Sequence, residues 1–366
     1  MPLKADLFPK RIYIIAEAGV NHNGSLQMAR KLVRVAAEAG TDAVKFQTFK
    51  TEKLVCAMAP KAAYQMQTTD AAESQFKMLK GLELDKKAHR ELIRYCDARG
   101  IQLLSTPFDL ESLDLLTTTL KLPRIKISSS EITNAPLLLR AARSKIPIIL
   151  STGMSTLSEI ETALGVLAFG YAENRNNPSL QRFQKAYASK SGQRVLKDHV
   201  VLLHCTTEYP APFEDIHLMA MDTMRSAFGL PVGFSDHTRG IAVAIAAVAR
   251  GAVVIEKHFT LNRNLPGPDH KASLEPDELK AMVTSIRQVE AALGSSLKEP
   301  TDSEIKNRDI VRKSLVAARP IKKGHLLTAA NLTAKRPGTG ISPIHYWDML
   351  GKNAGRTYRK DDLIES

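Results

Sequence analysis

Cysteine is scarce in this chain of 366 residues, and Cys56, Cys96 and Cys205 never come at Cys-x-x-Cys spacing. That argues against a disulfide framework or a zinc ribbon and fits a reducing compartment, the cytoplasm. Aromatic residues are 5% of the chain, with a single tryptophan, too few to build a stacking platform for bases. The formal net charge of +13, from 51 Lys and Arg against 38 Asp and Glu, invites a basic RNA-binding protein. Its basic residues are scattered rather than striped, so the charge points to a small anion and to no specific nucleic acid. Long hydrophobic runs are missing as well. Ile12 to Ala16 is cut short by Glu17 and a later run is broken by Arg250, so neither a signal peptide nor a membrane span is expected. No Gly-x-Gly-x-x-Gly follows the first apolar run, which argues against a doubly wound dinucleotide-binding sheet.

What is there is a repeated pattern of short apolar runs that turn abruptly polar. Ile12 to Ala16 ends at Glu17, Ala43-Val44 leads into Lys45 and Gln47, and Ile101 to Leu104 leads into Ser105-Thr106-Pro107. Ile125-Lys126-Ile127 leads into Ser128-Ser129-Ser130-Glu131, and Ile146 to Leu150 into Ser151-Thr152-Gly153. Val200 to Leu203 then precedes His204-Cys205-Thr206, Leu230 to Val232 precedes Ser235-Asp236-His237, and Ala252 to Ile255 precedes Glu256-Lys257-His258. Apolar positions at helical spacing lie between most of these runs; Ser25 to Gly40 and Ile241 to Arg250 are examples. Thr156 with Glu159 forms a capping box for a further helix.

Eight strand and helix units predict an α/β fold, a (β/α)8 TIM barrel with its chemistry at the carboxyl ends of the strands. Residues 1–294 are assigned to the barrel, 295–312 to a charged linker and 313–366 to a small turn-rich domain. Lys50 to Asp85 reads as an insertion over the mouth, and Tyr171 to Lys197 as a polar surface excursion.

In such a barrel the polar ends share one mouth. His237 and His258, at successive strand ends beside Asp236 and Glu256, are candidate ligands for a divalent metal, with Cys205 as a third donor or simply a small buried residue. Two histidines are too few for a closed zinc site and suit an open octahedral ion such as manganese. Lys45 and Lys126, with hydroxyls from Thr106, Ser129 and Ser151, form a cradle for phosphate and carboxylate. Glu17 and Glu131 are candidate proton carriers. A Schiff-base aldolase using Lys126 is the competing enzymatic reading and would need no metal.

These residues resemble the sialic acid synthase family, the phosphoenolpyruvate-dependent synthases of acidic nonulosonic sugars. The resemblance is carried by Ala16-Glu17-Ala18-Gly19-Val20-Asn21-His22-Asn23-Gly24, Val44-Lys45-Phe46-Gln47-Thr48, Ser105-Thr106-Pro107-Phe108-Asp109, Leu150-Ser151-Thr152-Gly153-Met154 and Leu203-His204-Cys205-Thr206. It continues through Ser235-Asp236-His237-Thr238, Glu256-Lys257-His258-Phe259-Thr260, Gly267-Pro268-Asp269-His270 and Lys335-Arg336-Pro337-Gly338. It implies a barrel followed by an antifreeze-like (SAF) domain, in a homodimer where that domain lies over the partner barrel. Phosphoenolpyruvate would be held by Lys45, Thr106, Lys126, Ser129 and Ser151, and the N-acyl amino sugar by Glu17, Gln47, Tyr209, Asp269 and Arg336. His237 and His258 would bind manganese, with magnesium or cobalt as alternatives, and Glu131 would handle protons.

The sugar is either N-acetylmannosamine, giving N-acetylneuraminate, or 2,4-diacetamido-2,4,6-trideoxymannose, giving legionaminate. Ala63-Tyr64-Gln65-Met66-Gln67-Thr68-Thr69 resembles the legionaminate branch. Ser128 and Ser130 stand where the family usually has glycine or proline, which strains Ser130 if its φ must be positive. Thr207 stands where some members have asparagine.

Overall fold

The computed structural model describes residues 11–61, 66, 73–172 and 177–365. Apart from Met66, the segment from Ala63 to Thr69 lies outside the described residues. The chain divides into two compact units, Met1–Gly294 and Ser295–Ser366.

The first unit is the predicted barrel. Its strands are β1 (Tyr13–Gly19), β2 (Ala43–Thr48), β3 (Gln102–Pro107), β4 (Ile125–Ile127), β5 (Ile148–Ser151), β6 (Val200–His204), β7 (Val232–Asp236) and β8 (Val254–His258). The sheet runs β3-β2-β1-β8-β7-β6-β5-β4 and every pairing is parallel. Pairing of β1 with β8 curls the sheet round, and β3 and β4 lie side by side at its two ends. Among the described residues no ladder joins those two ends. β4 is only three residues long and offers little backbone for one.

Successive side chains of a strand face opposite ways, and here both faces are apolar. Ile14, Ala16, Val44, Ile125 and Phe234 pack outward against the helices. Tyr13, Ile15, Ala43, Leu104, Ile149, Val201, Leu203 and Val254 fill the barrel interior. Two residues further along the inward set, each strand reaches the mouth and turns polar.

Helices follow the sequence logic. Leu26–Glu38 is capped by Ser25, whose hydroxyl accepts from the Met28 amide, and buries Ala29, Leu32, Val33 and Ala36. Thr156 and Glu159 make the expected reciprocal bonds ahead of Leu157–Ala172.

Two expectations are corrected. The stretch from Tyr171 to Lys197 is not a loose excursion: Leu180–Ala188 and Lys190–His199 are helices, each starting at a serine cap. Phe183 and Ala186, one turn apart on the first, and Leu196 on the second bury themselves against the core, and Phe183 meets Phe169 edge-on. Their polar composition belongs to the outer faces and hid this period. The charged stretch assigned to the linker also contains a helix, Asp302–Val311, held by a capping box of Thr301 and Glu304 and burying no side chain. Among the described residues the insertion after β2 carries the short helices Thr51–Leu54 and Gln75–Lys80.

In the second unit β9 (Ser314–Ala317) pairs antiparallel with β10 (Leu332–Lys335). Its own small core gathers Leu315, Ile321, Leu327, Met349, Tyr358 and Ile364. Among the described residues no helix is long and apolar enough to cross a membrane.

Candidate active site

The alternation that fills the interior also aims the polar ends. Glu17 is in phase with Tyr13 and Ile15, Lys45 with Ala43, Thr106 with Leu104, and Ser151 with Ile149. Lys126 lies between the outward Ile125 and Ile127. These residues, with Gln47, Ser129, Cys205, Tyr209, Ser235, His237, Glu256, His258 and Asp269, line one cavity of about 230 Å³.

The two lysines are buried and share counterions. Lys45 Nζ lies 2.7 Å from Glu17 Oε2 and 3.6 Å from Glu256 Oε2, and donates to Thr106 Oγ1 at 3.0 Å. Lys126 Nζ lies 3.2 Å from Glu256 Oε1. Burial would neutralise Lys45, but Glu17 and Glu256 outweigh it and hold the ammonium. At Lys126 burial wins and lowers the pKa against the pull of Glu256.

The carboxylates are driven apart. Burial pushes Glu17 up to about 7 against the pull of Lys45. Burial also opposes ionisation of Glu256, yet Lys126, Lys45 and the Ser235 hydroxyl, which donates at 2.8 Å, carry it down to about 2. Glu256 is therefore the permanent anion between the lysines and Glu17 the titratable one. Glu256 and Ser235 received no role from the sequence, although the two-residue phase from His258 and His237 places both inside.

On the hydroxyl side, Ser129 Oγ accepts from the Gly153 amide at 2.9 Å and lies 3.2 Å from Cys205 Sγ. Ser151 Oγ is buried with no hydrogen-bond partner, a donor held ready for a ligand. A Cβ on Gly153 would sit 2.3 Å from Thr207 Oγ1 and 3.0 Å from Ser129 Oγ, so only glycine fits that wall. Ser128 to Glu131 form a single tight turn in which Ser128 Oγ accepts from the Ser130 amide at 3.4 Å. Ser130 is not among the residues with positive φ, and the strain expected there is absent. The Glu131 carboxylate accepts from Asn134 Nδ2 at 2.7 Å and does not line the cavity.

His237 and His258 meet with ring centroids 5.5 Å apart, and the Tyr209 ring lies 4.3 Å from the first and 5.5 Å from the second. His237 Nδ1 donates to the Thr206 carbonyl at 2.6 Å; its Nε2 lies 3.4 Å from Ser235 Oγ, whose proton goes to Glu256, and so keeps its lone pair. Burial holds His237 down to about 4 and His258 well below its usual value, so both are neutral. His258 Nδ1 is buried without a hydrogen-bond partner. Two neutral imidazoles with spare lone pairs fit a divalent ion whose remaining positions are open to solvent and substrate. Among the described residues no group of three or more His, Cys, Asp or Glu side chains could hold an ion. Asp236, counted beside the histidines in the sequence, points away from the mouth and pairs with Lys257.

The amino-sugar candidates also converge. Gly19, at φ +51°, leaves a gap whose Cβ position lies 3.2 Å from Asp269 Oδ2, 3.3 Å from Glu17 Oε1 and 3.6 Å from Gln47 Nε2. Burial raises the Asp269 carboxyl to about 6, with Lys45 opposing. Arg336 belongs to the second unit, where it is exposed.

Comparison with known proteins adds to this geometry. Residues 32–298 match the NeuB family and residues 312–365 the SAF domain. The chain is 52% identical to N,N'-diacetyllegionaminic acid synthase of Campylobacter jejuni, over 97% of this chain and 99% of that protein. It is 46% identical to the protein of the same name from Legionella pneumophila, over 93% and 89%. Among solved structures it resembles the N-acetylneuraminic acid (sialic acid) synthetase of Leptospira borgpetersenii, with a TM-score of 0.65 and 32% identity over 81% of this chain and 90% of that one.

Proposed function

The chain belongs to the NeuB family, and from that membership we propose that it condenses phosphoenolpyruvate and water with an open-chain N-acyl amino sugar, giving a nonulosonic acid and inorganic phosphate. The names of its Campylobacter and Legionella relatives support 2,4-diacetamido-2,4,6-trideoxymannose as the sugar and N,N'-diacetyllegionaminic acid as the product. C3 of phosphoenolpyruvate bonds to the aldehyde carbon, water adds at C2, and the C–O bond to phosphate breaks.

One observation carries this reading. A single cavity holds two buried lysines with hydroxyl donors and two neutral histidines with spare lone pairs. Lys45 and Lys126 supply charge to the phosphate and carboxylate, while Thr106, Ser129 and Ser151 supply directional donors. Glu17, its carboxyl pushed up to about 7 by burial and standing beside Lys45, is suited to give and take a proton at the reacting aldehyde oxygen. That assigns it the proton role given to Glu131 by resemblance; Glu131 holds the turn that carries Ser129. Gln47, Tyr209 and Asp269 orient the sugar.

A divalent ion, manganese with magnesium or cobalt as alternatives, would be held by His237 and His258 and would polarise the aldehyde carbonyl when bound. We further propose a homodimer in which the SAF domain covers the partner barrel and brings Arg336 to the sugar held there.

The test is phosphate release from phosphoenolpyruvate with each sugar in parallel, with a chelator control and His237→Ala. Release that needs sugar and divalent ion together, and is lost in His237→Ala, is expected. Folded, metal-loaded protein that releases phosphate with no amino sugar would overturn the reading.

A further inference from the structure

The cavity is not polar all round. Val20, Met78, Leu79 and Phe108 put carbon on one side of it. This wall is fixed from behind, because Leu79 and Phe108 pack on a buried cluster of Val20, Phe49 and Leu82. Phe49 meets Phe108 edge-on with ring centroids 6.3 Å apart. Met78 is 7% exposed and sits on the short helix Gln75–Lys80, which the insertion after β2 contributes to the mouth.

The position of the wall gives it a role. It is built from the segments that follow β1, β2 and β3, whereas His237 and His258 stand at the ends of β7 and β8 and Tyr209 follows β6. Gly19, immediately before Val20, borders Glu17, Gln47 and Asp269. A sugar with its aldehyde at the histidines and its middle hydroxyls on those polar groups directs its far end to the carbon wall. A hydroxyl turned there would lose its water and gain no partner. A methyl group would lose nothing and bury apolar surface.

We infer that the wall of Val20, Met78, Leu79 and Phe108 selects an N-acyl amino sugar whose far end is methylated, a 6-deoxy sugar, over its 6-hydroxy counterpart. This rests on the synthase reading above and names the residues that set its sugar preference. A pocket of this kind discriminates by roughly ten- to a hundredfold, the scale of one methyl gained or one hydroxyl left unpaired.

The experiment compares kcat/KM for 2,4-diacetamido-2,4,6-trideoxymannose and for its 6-hydroxy counterpart, 2,4-diacetamido-2,4-dideoxymannose, in wild type, Met78→Gln and Phe108→Tyr. Met78→Gln keeps length and adds an amide; Phe108→Tyr keeps the ring and adds one hydroxyl. The expected result is a wild-type preference for the deoxy sugar of at least about tenfold that falls by about tenfold in either variant. An active wild type that prefers the 6-hydroxy sugar, or a preference unmoved in both active variants, overturns the inference and leaves the synthase reading standing. A wild type that releases phosphate with no amino sugar overturns that reading and the inference together.

Discussion

Lys257 Nζ lies 2.9 Å from Asp236 Oδ2, and both side chains are 0% exposed. The two residues face each other across the β7–β8 ladder, each next in sequence to one of the paired histidines. Lys257 also donates to the Thr238 carbonyl at 2.5 Å, while Asp236 Oδ1 accepts from the Thr238 amide and hydroxyl at 2.8 and 2.7 Å. His237 is thereby tied on both sides to the strand that carries His258.

Breaking this pair strands a buried charge. Lys257→Met is expected to cost about 3 to 5 kcal/mol, and the double change with Asp236→Leu less, since no lone ion remains. Urea midpoints at constant slope measure both; a loss under 1 kcal/mol in the single variant would refute the fully buried pair.

Acid weakens the fold by a named route. Burial holds His22, His237 and His270 down to about 4, against 6.5 when unperturbed. From about pH 6.5 to 4 the unfolded chain binds protons there that the folded chain refuses, so stability falls with pH, by about 1.4 kcal/mol per pH unit for each histidine. Glu17 and Asp269, pushed up to about 7 and 6, act with the opposite sign: the folded chain keeps protons that the unfolded chain releases, and lowering the pH relieves that loss. Burial lowers His89, His204 and His258 as well, so the histidines outnumber the two carboxyls and leave a net loss in acid. Denaturation at pH 7 and pH 5 measures it, and His22→Gln is expected to flatten the slope.

Lys126 has a lowered pKa, as a Schiff-base lysine would. Its ammonium nevertheless faces Glu256 at 3.2 Å and shares the cavity with the hydroxyls of Thr106, Ser129 and Ser151. Borohydride with pyruvate is expected to trap no adduct, read by intact mass; a pyruvyl adduct on Lys126 would favour the aldolase.

Gly153→Ala is expected to raise KM for phosphoenolpyruvate at least about tenfold, because the new methyl displaces Ser129 and Thr207 on the side of the cavity proposed to hold it. Unchanged kinetics would show that this wall does not touch the substrate.

Much of the barrel was legible because buried parallel strands write continuous apolar runs and the mouth interrupts them with charge. Glu17, Lys45, Lys126, His237 and His258 could be read from that interruption alone. Glu256 and Asp236 show the limit: neighbouring carboxylates look alike in sequence, and only the phase of the strand turns one onto two lysines and the other away from them. The helices Leu180–Ala188 and Lys190–His199 were hidden by composition, since a few buried side chains anchor faces that are otherwise polar. The carbon wall draws on Val20, Met78 and Phe108, distant in the chain, so no local pattern announces it.

With no ladder between the neighbouring β3 and β4 among the described residues, this barrel is a cask with one unglued pair of staves. Thr106 lies one residue before the end of one stave and Lys126 sits on the other. An anion gripped by both, as proposed above, would act as a hoop, so that substrate binding would tighten the container as well as fill it. Amide exchange along those two strands should slow when phosphoenolpyruvate is bound, with the far side of the barrel unaffected.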